Sequence, residues 1–150
     1  MDLRAQARDL HENLASAVRL QRRCMRDIAI GLSTMRRKKY YRELGYASLA
    51  EYGEQALGFR DGKTGQLATL GERLHNLPQL DAAMVLGTVG WTTARTVARV
   101  STPDTEGEWI KRALEVSSRE LEDQAGDVPV GAMPPDADDD MDTYRHVWIS

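Results

Sequence analysis

The sequence predicts an all-α fold: a module of six or seven helices that contains a helix-turn-helix-like pair, followed by an acidic linker and a short C-terminal strand. Three observations carry the prediction. Ala, Leu, Arg and Glu dominate a chain of 150 residues that holds a single Phe, and these residue types favour helix. Apolar residues recur at three- and four-residue spacing, as one face of a helix requires. Ser, Thr, Pro and Gly stand between those runs where helices are capped and stopped. A chain of this length fits one domain with its own core, or one domain and a tail.

The centre of the reading is Leu77–Val100. Pro78 suits the first turn of a helix, and Leu80, Ala83 and Met84 follow at helical spacing. Gly87 and Gly90 punctuate the chain, and a second helix restarts at Trp91. Its apolar residues Trp91, Ala94, Val97 and Ala98 fall on one face. Thr92, Arg95, Thr96 and Arg99 fall on the other, at i, i+3, i+4 and i+7. A short helix, a glycine turn and a second helix presenting Thr and Arg are what a DNA-reading helix-turn-helix needs. Plain helix packing with a solvated polar face gives the same pattern, and both readings stand.

Residues 2–30 read as one amphipathic helix in which Leu3, Ala7, Leu10, Leu14, Ala17, Cys24 and Ile28 keep a three-four spacing interrupted by Gln21. The stripe fits a homodimer seam or packing on the chain's own domain. Cys24 lies on it and is expected to be a buried small hydrophobe. Gly31 and Ser33 allow a break, with Ser33 capping a helix over 34–44. That helix carries Arg36, Arg37, Lys38 and Lys39, the densest basic run, which is either a phosphate-binding surface or a solvated face.

Ser48 and Glu51 form a capping box for a helix running to about Leu57, with Tyr46 and Tyr52 as a hydrophobic staple. Gly58 stops it. Asp61 or Thr64 is expected to cap the next helix, which buries Leu67, Leu70, Leu74 and Leu77. Thr102 and Pro103 start another, carrying Trp109, Ile110, Ala113, Leu114 and Val116. Ser117 and Glu120 open a last short helix, closed by Gly126. The domain boundaries expected are therefore 1–126 for the helical domain, 127–142 for a flexible linker bearing three prolines and six aspartates, and 143–150 for the start of a truncated second unit. Its strand, Tyr144–Ile149, has no partner upstream.

Charge is unevenly spread. Residues 1–60 carry twelve Lys or Arg against seven Asp or Glu, residues 61–126 seven against ten, and residues 127–150 one against six. The net charge of −3 therefore hides a positive first half and an acidic end. One cysteine excludes a disulfide framework and suits a reducing cytoplasm, where the protein is expected. No apolar run approaches a membrane span, and the first residues lack a secretory signal's apolar core. His11, His75 and His146 are scattered, so neither a metal site nor a catalytic residue is expected in this segment. Gly62-Lys63-Thr64 lacks the upstream glycine and the strand of a phosphate loop.

Several motifs together carry a resemblance. They are Arg37-Lys38-Lys39-Tyr40-Tyr41-Arg42-Glu43-Leu44-Gly45-Tyr46-Ala47-Ser48-Leu49-Ala50-Glu51-Tyr52, Leu57-Gly58-Phe59, Leu74-His75-Asn76-Leu77-Pro78, Gly87-Thr88-Val89-Gly90-Trp91-Thr92-Thr93-Ala94-Arg95, and Ser118-Arg119-Glu120-Leu121-Glu122. In this order they resemble the helical domain that precedes the nuclease domain in bacterial HNH endonuclease-signature proteins, over about residues 25–125. The resemblance implies a non-catalytic helical module attached to a C-terminal nuclease that uses a divalent metal. The HNH motif itself is absent here, so no catalytic residue carries over, and a divalent metal is expected only if such a domain follows. The Leu77–Arg95 region also resembles the helix-turn-helix neighbourhood of chromosome-partition DNA-binding proteins. The expected function is DNA binding. The alternatives are a protein-interaction module that dimerises through helix 2–30, and a free-standing DNA-binding regulator.

Overall fold

The computed structural model describes residues 2–136, and these contain eight helices and no strand: α1 (Leu3–Lys38), α2 (Tyr40–Glu43), α3 (Leu49–Leu57), α4 (Lys63–Leu74), α5 (Pro78–Leu86), α6 (Trp91–Val100), α7 (Glu106–Glu115) and α8 (Ser118–Ala125). The all-α class is as expected. The strand expected at Tyr144–Ile149 lies outside the described residues. Among the described residues no helix is long and apolar enough to cross a membrane.

α1 has 36 residues, about 54 Å at the helical rise. It does not break at Gly31, and Ser33 caps nothing. Ala29, Leu32 and Ser33 are buried against the rest of the chain, and this packing outweighs the roughly 1 kcal/mol cost of a helical glycine. The break comes at Lys39, in the left-handed region at φ 56°, so the helix expected over 34–44 is instead the end of α1 followed by the single turn α2. Cys24 is exposed rather than buried, because the buried stripe of this stretch runs through Met25, Ala29 and Leu32.

The core is built from α4, α5, α6 and the second half of α1, with Trp109 of α7 and Leu121 and Ala125 of α8. α1 packs most extensively on α4. Their backbones touch at Gly71, where an added Cβ would lie 2.0 Å from the carbonyl oxygen of Ala29. Leu67, Leu70 and Leu74 are buried, as their spacing required, whereas Leu77 is buried as the residue capping α5 after α4 has ended. Arg26 grips Asp81 of α5 with two parallel hydrogen bonds, Nε to Oδ1 at 2.7 Å and Nη2 to Oδ2 at 2.9 Å. Those bonds push the Arg26 pKa above its ordinary value against the opposing effect of burial.

Local signals place most other boundaries. Ser48 Oγ accepts from Glu51 N at 3.1 Å and Ser117 Oγ from Glu120 N at 3.1 Å. The Tyr46 and Tyr52 rings meet edge to face, 5.4 Å apart. Two expected starts differ. α4 is capped by Gly62 rather than Asp61 or Thr64, because Thr64 is buried in the contact with Gly53 of α3. α7 starts at Glu106 rather than Pro103. Thr102 and Thr105 close a tight turn there, with Thr102 N donating to Thr105 Oγ1 at 2.9 Å.

Glu106 is fully buried, and its Oε1 accepts from Leu80 N in the first turn of α5 at 2.9 Å. Trp109 is also fully buried, whereas Leu114, expected on the same face, is exposed. Beyond α8 the chain is held to the body. Gly131 N donates to the Val100 carbonyl at 2.9 Å, and Trp109 Nε1 donates to the Ala132 carbonyl at 2.8 Å.

Candidate nucleic-acid interface

α5 ends at Gly87, which holds φ 77° and lies so close to α1 that a Cβ would stand 2.6 Å from Arg19 backbone atoms. A glycine meets both demands, the left-handed conformation and the close approach. The chain turns through Thr88 and Val89 and restarts at Trp91. In α6, Ala94, Val97, Ala98 and Val100 are buried and Trp91 is half-buried against the core. Thr92, Arg95 and Arg99 are exposed, while Thr96 is half-buried. The Thr96 hydroxyl donates to the Thr92 carbonyl at 3.4 Å.

This outer face forms one wall of a groove of about 830 Å³. Thr92, Arg95, Thr96 and Arg99 line it from α6, Gln66, Thr69 and Arg73 from α4, and Arg36 from the end of α1. Glu122 of α8 is the one carboxylate among the lining residues. Arg36 is already engaged, donating to Glu72 at 2.6 Å and to Thr69 at 3.2 Å. The side chains of Arg73, Arg95 and Arg99 make no hydrogen bond or ion pair among the described residues. Three guanidinium groups with free donors therefore share one concave surface with a single carboxylate.

Two helix starts border the same groove. α4 begins after Gly62 and α6 after Gly90, and neither cap supplies a side-chain hydrogen bond. Gly62, Gly65 and Thr92 line the groove, so the positive ends of two helices lie along it beside the arginines. Lys63 stands between two rings, 4.9 Å from the centre of Phe59 and 5.5 Å from that of Trp91. This holds a further cation at the junction of α4 and α6.

The site residues expected from sequence thus separate. Thr92, Arg95, Thr96, Arg99 and Arg36 come together. Arg37, Lys38 and Lys39 are exposed but do not line the groove. Lys38 lies over the Tyr40 ring at 5.8 Å instead. Arg73 was not anticipated. Its signal was present: Gln66, Thr69 and Arg73 form a polar stripe opposite Leu67, Leu70 and Leu74. Among the described residues no three His, Cys, Asp or Glu side chains come together as a metal ion would need.

Compared with known proteins, the chain matches no family model, no curated protein and no solved structure.

Proposed function

We propose that this chain binds nucleic acid, DNA in the first place, along the groove between α4 and α6. In this reading it is the non-catalytic helical part of a cytoplasmic HNH endonuclease-like protein. The observation that carries it is the convergence of Arg73, Arg95 and Arg99, exposed and unpaired among the described residues, in one concave surface with two helix N-termini. A polyanion gains most from such a surface, since each neutralised phosphate releases counterions. Any divalent metal would belong to a nuclease domain beyond this segment. α6 is the reading element of a helix-turn-helix in this proposal, with Thr92 and Arg95 nearest its N-terminus. A second reading, a protein-interaction module working through α1, is favoured by the exposed Leu3, Leu10 and Leu14.

The test is fluorescence anisotropy of labelled duplexes between about 50 and 200 mM salt, comparing the unaltered chain with the Arg95→Ala/Arg99→Ala double variant. Binding should weaken while the helical circular dichroism stays unchanged. An arginine that contacts phosphate should take about one unit from the salt slope; one that reads a base should cost about 1–3 kcal/mol and relax sequence preference. Equal binding by the double variant at every salt concentration removes the groove as the interface.

A further inference from the structure

The first half of α1 leaves the body of the protein. From Leu3 to Gln21 nearly every residue is exposed, and among them are Leu3 at 79%, Leu10 at 60%, Leu14 at 59% and Leu20 at 62%. The body reaches α1 at Arg19, whose backbone Gly87 approaches too closely for a Cβ, and at Arg22, whose Nη1 donates to the Gly87 carbonyl at 3.0 Å. The segment before that contact, residues 3–18, is a helix of about 16 residues, roughly 24 Å long at the helical rise. Its apolar positions alternate at four and three, Leu3, Ala7, Leu10, Leu14 and Ala17, and the polar Gln21 takes the next place in the spacing. That is a 3.5-residue period, which a helix laid along another long helix keeps and a helix curved over a globular core does not.

We infer that the free half of α1 pairs antiparallel with the same segment of a second copy of this chain. The inference builds on the reading of α1 as an interaction helix and is independent of the groove. Three observations select this occupant. First, among the described residues the longest helix other than α1 is α4, with 12 residues, so a matching length is offered by α1 itself. Second, the orientation follows from where the free segment ends. The repeat continues to Ile28, but Ile28 already packs on the chain's own core. A parallel partner would have to run its residues 22–28 into that body. An antiparallel partner ends there instead, with its Leu3 opposite Gln21.

Third, this register fills the seam. Leu10 of each copy meets Leu14 of the other at the centre, Ala7 meets Ala17, and the flanking positions set Arg4 beside Val18 and Gln6 beside Leu20. Alanine opposite alanine lets the helices approach closely. Leu114 stands 62% exposed at the edge of α7 and, with Leu14 and Val18, lines a groove of about 530 Å³ alongside the seam. At about 60–100 Å² for each buried apolar side chain, seven per helix bury roughly 800–1,400 Å² in total. That lies near the lower edge of specific interfaces, where weak and transient complexes sit.

Sedimentation equilibrium of the full chain gives the first reading. The unaltered protein should be dimeric at about 100 μM and dissociate toward about 1 μM, as a weak, reversible dimer does. Leu14→Asp should be monomeric across that range and keep the unaltered fluorescence of the buried Trp109. The second reading is orientation, from the Ala7→Cys/Ala17→Cys/Cys24→Ser variant oxidised at 20 μM protein, a concentration on the order of the expected dissociation constant. Trypsin separates positions 7 and 17 at Arg8, so mass spectrometry identifies which are joined. A cross-chain bond from position 7 to position 17 is expected. Bonds from 7 to 7 and 17 to 17 would show a parallel pair and overturn the inference while leaving α1 an interaction helix. A monomer at 100 μM, far above the expected dissociation constant, overturns the second copy altogether.

Discussion

Leu14 and Leu32 stand five turns apart on one helix, both in apolar stripes, and their surroundings are opposite: Leu14 is 59% exposed and Leu32 is 3% exposed. The first half of α1 carries leucines at coiled-coil spacing and meets little of its own chain. The second half carries a mixture of Ala29, Leu32, Ser33 and half-buried Met25 and Ile28, and forms a wall of the core. The more leucine-rich half is the less buried one. An amphipathic pattern reports that a face needs covering, and it does not report by what. In the half that packs internally, α4 approaches so closely at Gly71 that only a backbone fits against Ala29.

The sharpest way to break this comparison is to truncate each half by the same atoms. Leu32→Ala should destabilise the fold by about 2–5 kcal/mol, since it removes a buried side chain and leaves a cavity. Urea unfolding followed through Trp109 fluorescence would measure it. A cost below about 0.5 kcal/mol, the size typical of surface substitutions, would mean that the second half of α1 is not a wall of the core.

A smaller effect separates packing from charge in the same half. Asp81→Ala removes the carboxylate that Arg26 grips from α5. Both side chains are about a quarter exposed, 25% and 26%, so solvent screens the pair. The two-pronged geometry raises its worth above that of an ordinary surface ion pair. Arg26 keeps its neighbour in sequence, Asp27, at 3.1 Å, which limits the loss. The expected cost is about 1 kcal/mol at low salt, shrinking as salt is added. A loss unaffected by salt would assign it to packing around Asp81.

What was legible in the chain follows the range of the interactions. Caps at Ser48 and Ser117, the stop at Gly58 and the turn at Gly87 depend on residues within four positions of one another, and those elements lie where the spacing puts them. The outer face of α6 was legible for the same reason. Boundaries decided by distant partners were not. Gly31, itself exposed, lies inside a helix because Ala29, Leu32 and Ser33 around it are buried against the rest of the chain, and α4 is capped by glycine because Thr64 is buried. The groove needed the third dimension. The polar stripes of α4 and α6 can each be read alone, but their meeting depends on how the two helices pack. That packing brings Arg73 in and leaves Arg37, Lys38 and Lys39 outside.

The smallest expected effect is the most informative about the free half of α1. Leu14→Ala removes the same three carbon atoms' worth of side chain as Leu32→Ala, from a residue with most of its surface already in water. In a monomer little apolar burial is lost, no cavity forms, and alanine is the better helix former by a few tenths of a kcal/mol. At low protein concentration the change should therefore stay within about ±0.5 kcal/mol. At high concentration the balance shifts, because anything that associates only with the folded state adds stability by mass action. If α1 pairs, the unaltered chain should gain stability as protein concentration rises and the Leu14→Ala chain should gain less. Unfolding midpoints measured across a hundredfold range of concentration read both quantities at once. Midpoints that coincide at every concentration leave Leu14 a solvated residue. Midpoints that already differ at the lowest concentration place Leu14 in contact with its own chain and erase the distinction between the two halves of the helix.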